Sequence, residues 1–130
     1  MPDAIQNRMP ETITSYRDLV VWQKGMDLAE CVFHVTARFP DSERFGLSTQ
    51  MRKAAVSIPS NVAEGHRHRR ASYVHHVVIA LGSHAELETQ GLLAHRLGFV
   101  NAANLEKFIR LSTQVGELAH GLLRSLEARP

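Results

Sequence analysis

Apolar residues recur every three or four positions along most of this chain, which is the spacing of one helical face. Ser15 followed by Asp18 predicts a capping box at the start of the first helix. Pro40 and Asp41 predict its end near Phe39. The apolar stripe of this helix comprises Leu19, Val21, Trp22, Met26, Leu28, Ala29, Val32, Phe33 and Val35.

The second periodic segment is predicted to run from about Phe45 to Arg67. Pro59 falls inside this pattern, where it removes one backbone donor and crowds the preceding turn, so we expect a kink. Small residues in the segment would let another helix approach closely. The predicted apolar face comprises Leu47, Met51, Ala54, Ala55, Ile58 and Val62.

Two further helices are predicted in the second half of the chain. The third spans about residues 72–97, with Gly98 as its stop and Asn101 as the cap of the fourth. The predicted core face of the third helix comprises Val74, Val77, Val78, Leu81, Ala85, Leu92 and Leu93. That of the fourth comprises Leu105, Phe108, Ile109, Val115, Leu118, Leu122 and Leu126.

The fold class predicted from these segments is all-α. Four amphipathic helices with short connections form an antiparallel up-down four-helix bundle, here with a proline-kinked second helix. We assign residues 15–127 to this bundle domain and expect residues 1–14, which carry Pro2 and Pro10 without periodicity, to form a flexible tail.

Composition is consistent with one cytoplasmic domain. A chain of 130 residues with 44% hydrophobic residues can bury a core without disulfides. The single cysteine, Cys31, favours a reducing compartment. The chain has no apolar run near the ~18 residues of a membrane span and shows no signal-peptide pattern, so we expect a cytoplasmic protein with no membrane contact.

Positive charge is concentrated in residues 66–70, a segment that we call the basic corner. Its arginines, Arg67, Arg69 and Arg70, carry more charge than the formal net charge of the whole chain, which is +2. We interpret them as nucleic-acid phosphate ligands, extended by Arg52 and Lys53 if these face outward. The alternative is a solvated helix end, where cations favour the C-terminal dipole. No aromatic residues are interleaved to stack on bases.

Other polar residues suggest structure rather than chemistry. Glu88 falls on a predicted core position, and we expect it to join Glu64 and Asn61 in a buried network that fixes helix register, because burying an unpaired carboxylate is costly. A catalytic carboxylate is the alternative, although no nucleophile accompanies it. Glu117 and His120 have the spacing of a di-iron pair, but a second pair is missing. We therefore predict no catalytic residue, metal or cofactor.

Two runs carry a family resemblance: Gln50 to Ala55 (QMRKAA) and Ser57 to Gly65 (SIPSNVAEG). With the flanking segments, over roughly residues 15–127, the chain resembles the bacterial 23S rRNA intervening-sequence proteins. It is also similar to the accessory variability determinant proteins of diversity-generating retroelements. The resemblance implies a ring-like homopentamer of four-helix bundles without enzymatic activity.

Together these features predict an oligomer that binds structured RNA or DNA through the basic corner. The alternative that the resemblance implies is a scaffold for a protein partner such as a reverse transcriptase. A metal-dependent enzyme is a distant third hypothesis.

Overall fold

The computed structural model describes residues 13–43 and 45–129, and these residues contain helices and no strand. The all-α, four-helix prediction is confirmed. Most of the predicted tail, residues 1–14, lies outside the described ranges. The helices are α1 (Val20–Thr36), α2 (Leu47–His66), α3 (Arg70–Arg96) and α4 (Ala102–Glu127), with short 3-10 turns at Tyr16–Asp18 and Asp41–Glu43.

The predicted signals at Gly98 and Asn101 are confirmed, whereas α1 begins after its predicted capping box and ends at Thr36, before the predicted Phe39. The Ser15 hydroxyl accepts a hydrogen bond from the Arg17 amide, and the Asp18 carboxylate accepts one from the Ser15 amide. This capping box closes the 3-10 turn, and α1 begins after the extended residue Leu19. Asn101 caps α4 by accepting from an amide of its first turn. Gly98 has φ +83°, a left-handed conformation that ends α3.

Contacts between consecutive helices run in opposite sequence order, as they do between antiparallel helices. In α1 and α2, Gly25 lies against Pro59, whereas Thr36, farther along α1, bonds Arg52, which comes earlier in α2. The same reversed order joins α2 to α3, where Gly65 contacts Tyr73 and Ser57 bonds Ser83. It also joins α3 to α4, where Gly91 contacts Phe108 and His84 contacts Gly116. Helix α1 also packs on α4, which closes the bundle.

The predicted apolar face of α2 is buried, except that Leu47 is half-buried. Its residues Met51, Ala54, Ala55, Ile58 and Val62 are all buried. The helix continues through Pro59, which is itself buried against α1. A Cβ at Gly25 would lie 3.4 Å from the Pro59 Cβ, so the two helices are in van der Waals contact at the proline. The kink at Pro59 stays a prediction.

The predicted face of α3 is wrong in part. Val78, Leu92 and Leu93 are 51%, 48% and 45% exposed, whereas the buried residues of α3 are Val77, Ala80, Leu87, Gly91 and Ala94. The apolar residues of α3 lie on several sides of the helix, so their spacing does not predict which side faces the core. Small residues decide it, because they allow neighbouring helices to approach. A Cβ at Gly91 would lie only 2.3 Å from the Phe108 ring.

Candidate functional site

The basic corner forms the turn between α2 and α3. Helix α2 ends as the Arg67 and His68 amides bond the carbonyls of its last turn, and α3 then begins at Arg70. The side chains of Arg67, His68, Arg69 and Arg70 are all exposed. The Arg67 guanidinium lies 5.8 Å from the centroid of the Tyr16 ring, in the 3-10 turn that precedes α1. The arginines are thus displayed at one end of the bundle.

Two arginines from the chain ends join this corner, and sequence reasoning missed both. Arg17 lies 5.8 Å from the Tyr16 ring centroid, as Arg67 does. Arg129 follows the end of α4, whose residues Leu126 and Glu127 line one cleft with Arg69 and Arg70. The antiparallel order of the helices brings these segments together. Acidic groups are also present at this end, namely Asp18, Glu64 and Glu127.

Arg52 and Lys53 lie away from the basic corner. Arg52 Nε donates to Thr36 Oγ1 at 2.8 Å, and its guanidinium lies 4.7 Å from the Phe33 ring centroid. At 1.5 Å per residue, the span of α2 separates Arg52 from Arg67 by about 22 Å. Arg52 therefore ties α2 to the end of α1, and Lys53 is exposed beside it.

The predicted network of Asn61, Glu64 and Glu88 is split between two sites. At the first, Asn61 Oδ1 bonds His76 Nδ1 at 3.0 Å, and His76 Nε2 lies 4.0 Å from Glu64 Oε1. The Asn61 amide group donates to the Ser57 carbonyl at 2.8 Å, and the Ser57 hydroxyl bonds that of Ser83 at 2.8 Å. Glu64 is 62% exposed, so this site is open to solvent rather than buried.

Glu88 belongs to a second site, between α3 and α4. The fully buried Ser112 donates from its hydroxyl to Glu88 Oε2 at 3.0 Å. His84 Nε2 donates to the Ser112 carbonyl at 2.7 Å and lies 3.1 Å from the Ser112 hydroxyl oxygen. A Cβ at Gly116 would lie 2.7 Å from the His84 ring, so glycine makes room for the imidazole. Glu88 thus has a hydrogen-bond partner, as predicted, but the partner is Ser112 of α4 rather than a residue of α2.

Candidate metal ligands also come together where the sequence did not indicate them. Glu117 and His120 are exposed on α4 and have no carboxylate or imidazole cluster around them among the described residues. Instead, ligand atoms of Glu64, His68 and His76 all lie within 4.8 Å of one another. These residues come from α2, the turn and α3, so no spacing within a single helix signals them.

Burial has a further effect on two ionisable groups. It raises the pKa of the Cys31 thiol, which is 7% exposed, and raises the pKa of Tyr73 to about 12.

Within the described ranges, no helix has the length and apolar character needed to cross a membrane.

Comparisons with known proteins agree with this architecture. The profile of the family described as "23S rRNA-intervening sequence protein" matches residues 17–121, so the chain belongs to that family. A solved protein of unknown function from the S23 ribosomal protein family of Bacteroides thetaiotaomicron has a similar structure, with a TM-score of 0.75 and 22% identity. The alignment covers 81% of this chain and 96% of that chain, and at this identity it shows the fold alone. The comparison with curated proteins found no match.

Proposed function

We propose that this member of the 23S rRNA-intervening sequence protein family is a non-enzymatic oligomer that binds structured RNA or DNA through its basic corner. The observation that carries the proposal is the display of Arg67, Arg69 and Arg70 on one exposed turn. Guanidinium groups make paired, charge-assisted bonds to phosphate oxygens, and such contacts dominate affinity for nucleic acids.

The surroundings of the corner favour phosphate binding further. Arg17 and Arg129 lie at the same end of the bundle. An oligomer would carry one basic corner per subunit. Once one corner has bound the nucleic acid, the other corners meet it at a higher effective concentration, which raises the overall affinity. Recognition would rest on phosphate positions and shape rather than on base stacking.

The test is a fluorescence-anisotropy titration of structured ribosomal RNA hairpins at about 50 and about 200 mM salt. The triple variant R67Q/R69Q/R70Q should bind at least ~10-fold more weakly at low salt, with a salt dependence reduced by roughly two to three phosphate contacts. The control R96Q/K107Q/R110Q removes three exposed cations elsewhere and should bind as the parent does. Absence of binding at low salt, or equal losses in both variants, would contradict the proposal.

The oligomer is proposed to assemble through exposed apolar residues of α3 and α1. Val78 and Ile79 of α3 are exposed in the single chain, and so, about 20 Å farther along the helix, are Leu92 and Leu93, with Leu97 just after its end. Exposed clusters of apolar residues mark interaction sites on proteins. Met26 and Phe33 of α1 are 46% and 41% exposed, as a subunit face on α1 would require. The number five comes from the family resemblance.

Native mass spectrometry of the parent and of L92E/L93E tests this assembly. We expect a pentamer for the parent and smaller species for the variant, because charged side chains would be placed in the contact. Circular dichroism should show that the variant stays helical, since both side chains lie outside the core. A monomeric parent would contradict the proposal.

A scaffold for a protein partner is the second candidate function. Its support is an apolar groove between α1 and α4, lined by Leu19, Val20, Leu118 and Leu122 among others. This candidate predicts that a purified reverse transcriptase binds at high salt and binds R67Q/R69Q/R70Q equally well. Loss of binding at high salt would exclude it.

A further inference from the structure

We propose that Glu64, His68 and His76 form a binding site for one divalent transition-metal ion such as Zn²⁺. This site is distinct from the phosphate contacts proposed for the arginines. Two imidazoles and one carboxylate are a ligand set that zinc accepts, with the remaining position open to water. The ion would join the end of α2, the following turn and the second turn of α3.

The ligand atoms are close to the required separations. All three lie within 4.8 Å of one another, and the pair His76 Nε2 and Glu64 Oε1 is 4.0 Å apart. In a tetrahedral site with bonds near 2.1 Å, ligand atoms are about 3.4 Å apart. Glu64 and His68 are exposed side chains, so rotation about their own bonds can close the difference. The backbone of α2 and α3 need not move.

The hydrogen bond of His76 leaves the correct nitrogen available. The Asn61 amide nitrogen donates to the Ser57 carbonyl, which can only accept, so Asn61 Oδ1 is the atom that faces His76. His76 Nδ1 must therefore carry the proton and donate. In the neutral ring the lone pair then lies on Nε2, the atom nearest Glu64. Metal-binding histidines are oriented in this way by a partner on their other nitrogen.

The scaffold around His76 is rigid and specific. Asn61 is held by the Ser57 carbonyl and hydroxyl, and Ser57 in turn bonds Ser83 across the helix pair. A Cβ at Gly65 would lie 2.8 Å from the His76 Cβ, so only glycine lets α3 approach this closely. Both features place His76 where the exposed Glu64 and His68 can reach the same ion.

Neighbouring groups do not occupy the site. The His66 ring packs edge-on against Tyr73, with centroids 5.8 Å apart. Arg67 is directed over the Tyr16 ring. The ring of His68 lies parallel to that of His76, with centroids 5.8 Å apart and an interplanar angle of 11°, which keeps both imidazoles on one side of the turn.

The test is a Zn²⁺ titration of the full chain against a chromophoric chelator. We expect one ion per chain and an affinity at least ~10-fold lower in His68→Ala, whose exposed side chain can be removed without disturbing the core. Asn61→Ala keeps all three ligands but loses the orienting bond, and we expect a ~10-fold or larger loss. His66→Ala is the matched control and should bind zinc as the parent does, because the His66 ring packs on Tyr73.

A second readout is thermal unfolding with Zn²⁺ alone. An ion that binds only the folded chain raises its melting temperature, and this rise should be absent in His68→Ala. Unchanged zinc affinity in His68→Ala, or a loss only in His66→Ala, would overturn the site. R67Q/R69Q/R70Q should keep zinc binding, and Asn61→Ala, which lies outside the basic corner, should keep RNA binding, so the two proposals can fail separately.

Discussion

Helix α3 carries two histidines, His76 and His84, in closely similar settings but with different chemistry. Each bonds a polar group of the neighbouring helix and lies near a glutamate, at 4.0 and 3.9 Å respectively. Each also packs where the facing helix has a glycine, Gly65 for His76 and Gly116 for His84. The difference lies in which nitrogen the surrounding bonds use.

At His84 the nitrogen nearest the glutamate is already used. Its Nε2 donates to the Ser112 carbonyl, which can only accept, and Ser112 donates to Glu88. At His76 the bond to Asn61 uses Nδ1, so Nε2 is left facing Glu64. The His84–Glu88 pair is therefore fully used in hydrogen bonds to Ser112, which we call a closed network. The His76–Glu64 pair keeps a free imidazole nitrogen that can bind an ion, and we call it an open network.

The largest expected effect is a difference in the free energy of unfolding between His84→Ala and His76→Ala. His84→Ala removes two bonds to Ser112, which is fully buried, and should lower the free energy of unfolding by about 2–3 kcal/mol. His76→Ala in metal-free protein should cost about 1 kcal/mol, because water can replace the bond to the half-buried Asn61. Urea unfolding measures both. Equal costs would remove the distinction between closed and open networks.

A smaller effect is expected at the glycine beside His76. In Gly65→Ala the new methyl group would lie 2.8 Å from the His76 Cβ and 2.9 Å from the Tyr73 ring, so α2 and α3 must separate. We expect a loss of about 1–2 kcal/mol in the free energy of unfolding. The control is Gly82→Ala on α3, where no atom lies within 4 Å and a gain of about 0.5–1 kcal/mol is expected. Equal results for both variants would contradict the close approach.

The smallest effect concerns Tyr73, whose buried hydroxyl has no hydrogen-bond partner in the described part of the chain. Tyr73→Phe removes that unpaired group and should change the stability at pH 7 by between 0 and about +1 kcal/mol. Burial raises the pKa of Tyr73 to about 12, above its ordinary value near 10. The unfolded chain therefore loses this proton first, so the stability present below pH 10 declines as the pH rises towards 12.

The parent should thus lose stability relative to Tyr73→Phe across that pH range, as measured by urea unfolding at several pH values. The difference between the two proteins isolates Tyr73 from other groups that titrate there. Parallel pH profiles would show that the Tyr73 hydroxyl is not buried as described. Such a result would also weaken the contrast between the two sites, in which the Tyr73 hydroxyl has no partner whereas Ser112 bonds both His84 and Glu88.

The parts of the fold predicted from sequence rest on interactions within a few residues. Asn101 and Gly98 act on neighbouring backbone, so their roles were predicted and then confirmed. The capping box of Ser15 and Asp18 is present, but it closes a 3-10 turn rather than starting α1. The α2 stripe was also predicted, since most apolar residues of this helix lie on one side, with Val56 as an exposed exception. The basic corner was visible as a continuous run, but Arg17 and Arg129 join it only because the helices pack antiparallel.

The sequence by itself determined four helices, most of their ends and the position of the charged turn, because backbone hydrogen bonding, capping and apolar periodicity are local. Only the tertiary structure decided which face of α3 is buried, because glycines and alanines select the close contacts on a helix whose apolar residues do not form a single stripe. It also decided that Glu88 pairs with Ser112 and that Glu64 meets His68 and His76. These groupings depend on helix packing, which brings together side chains that no spacing along one helix connects.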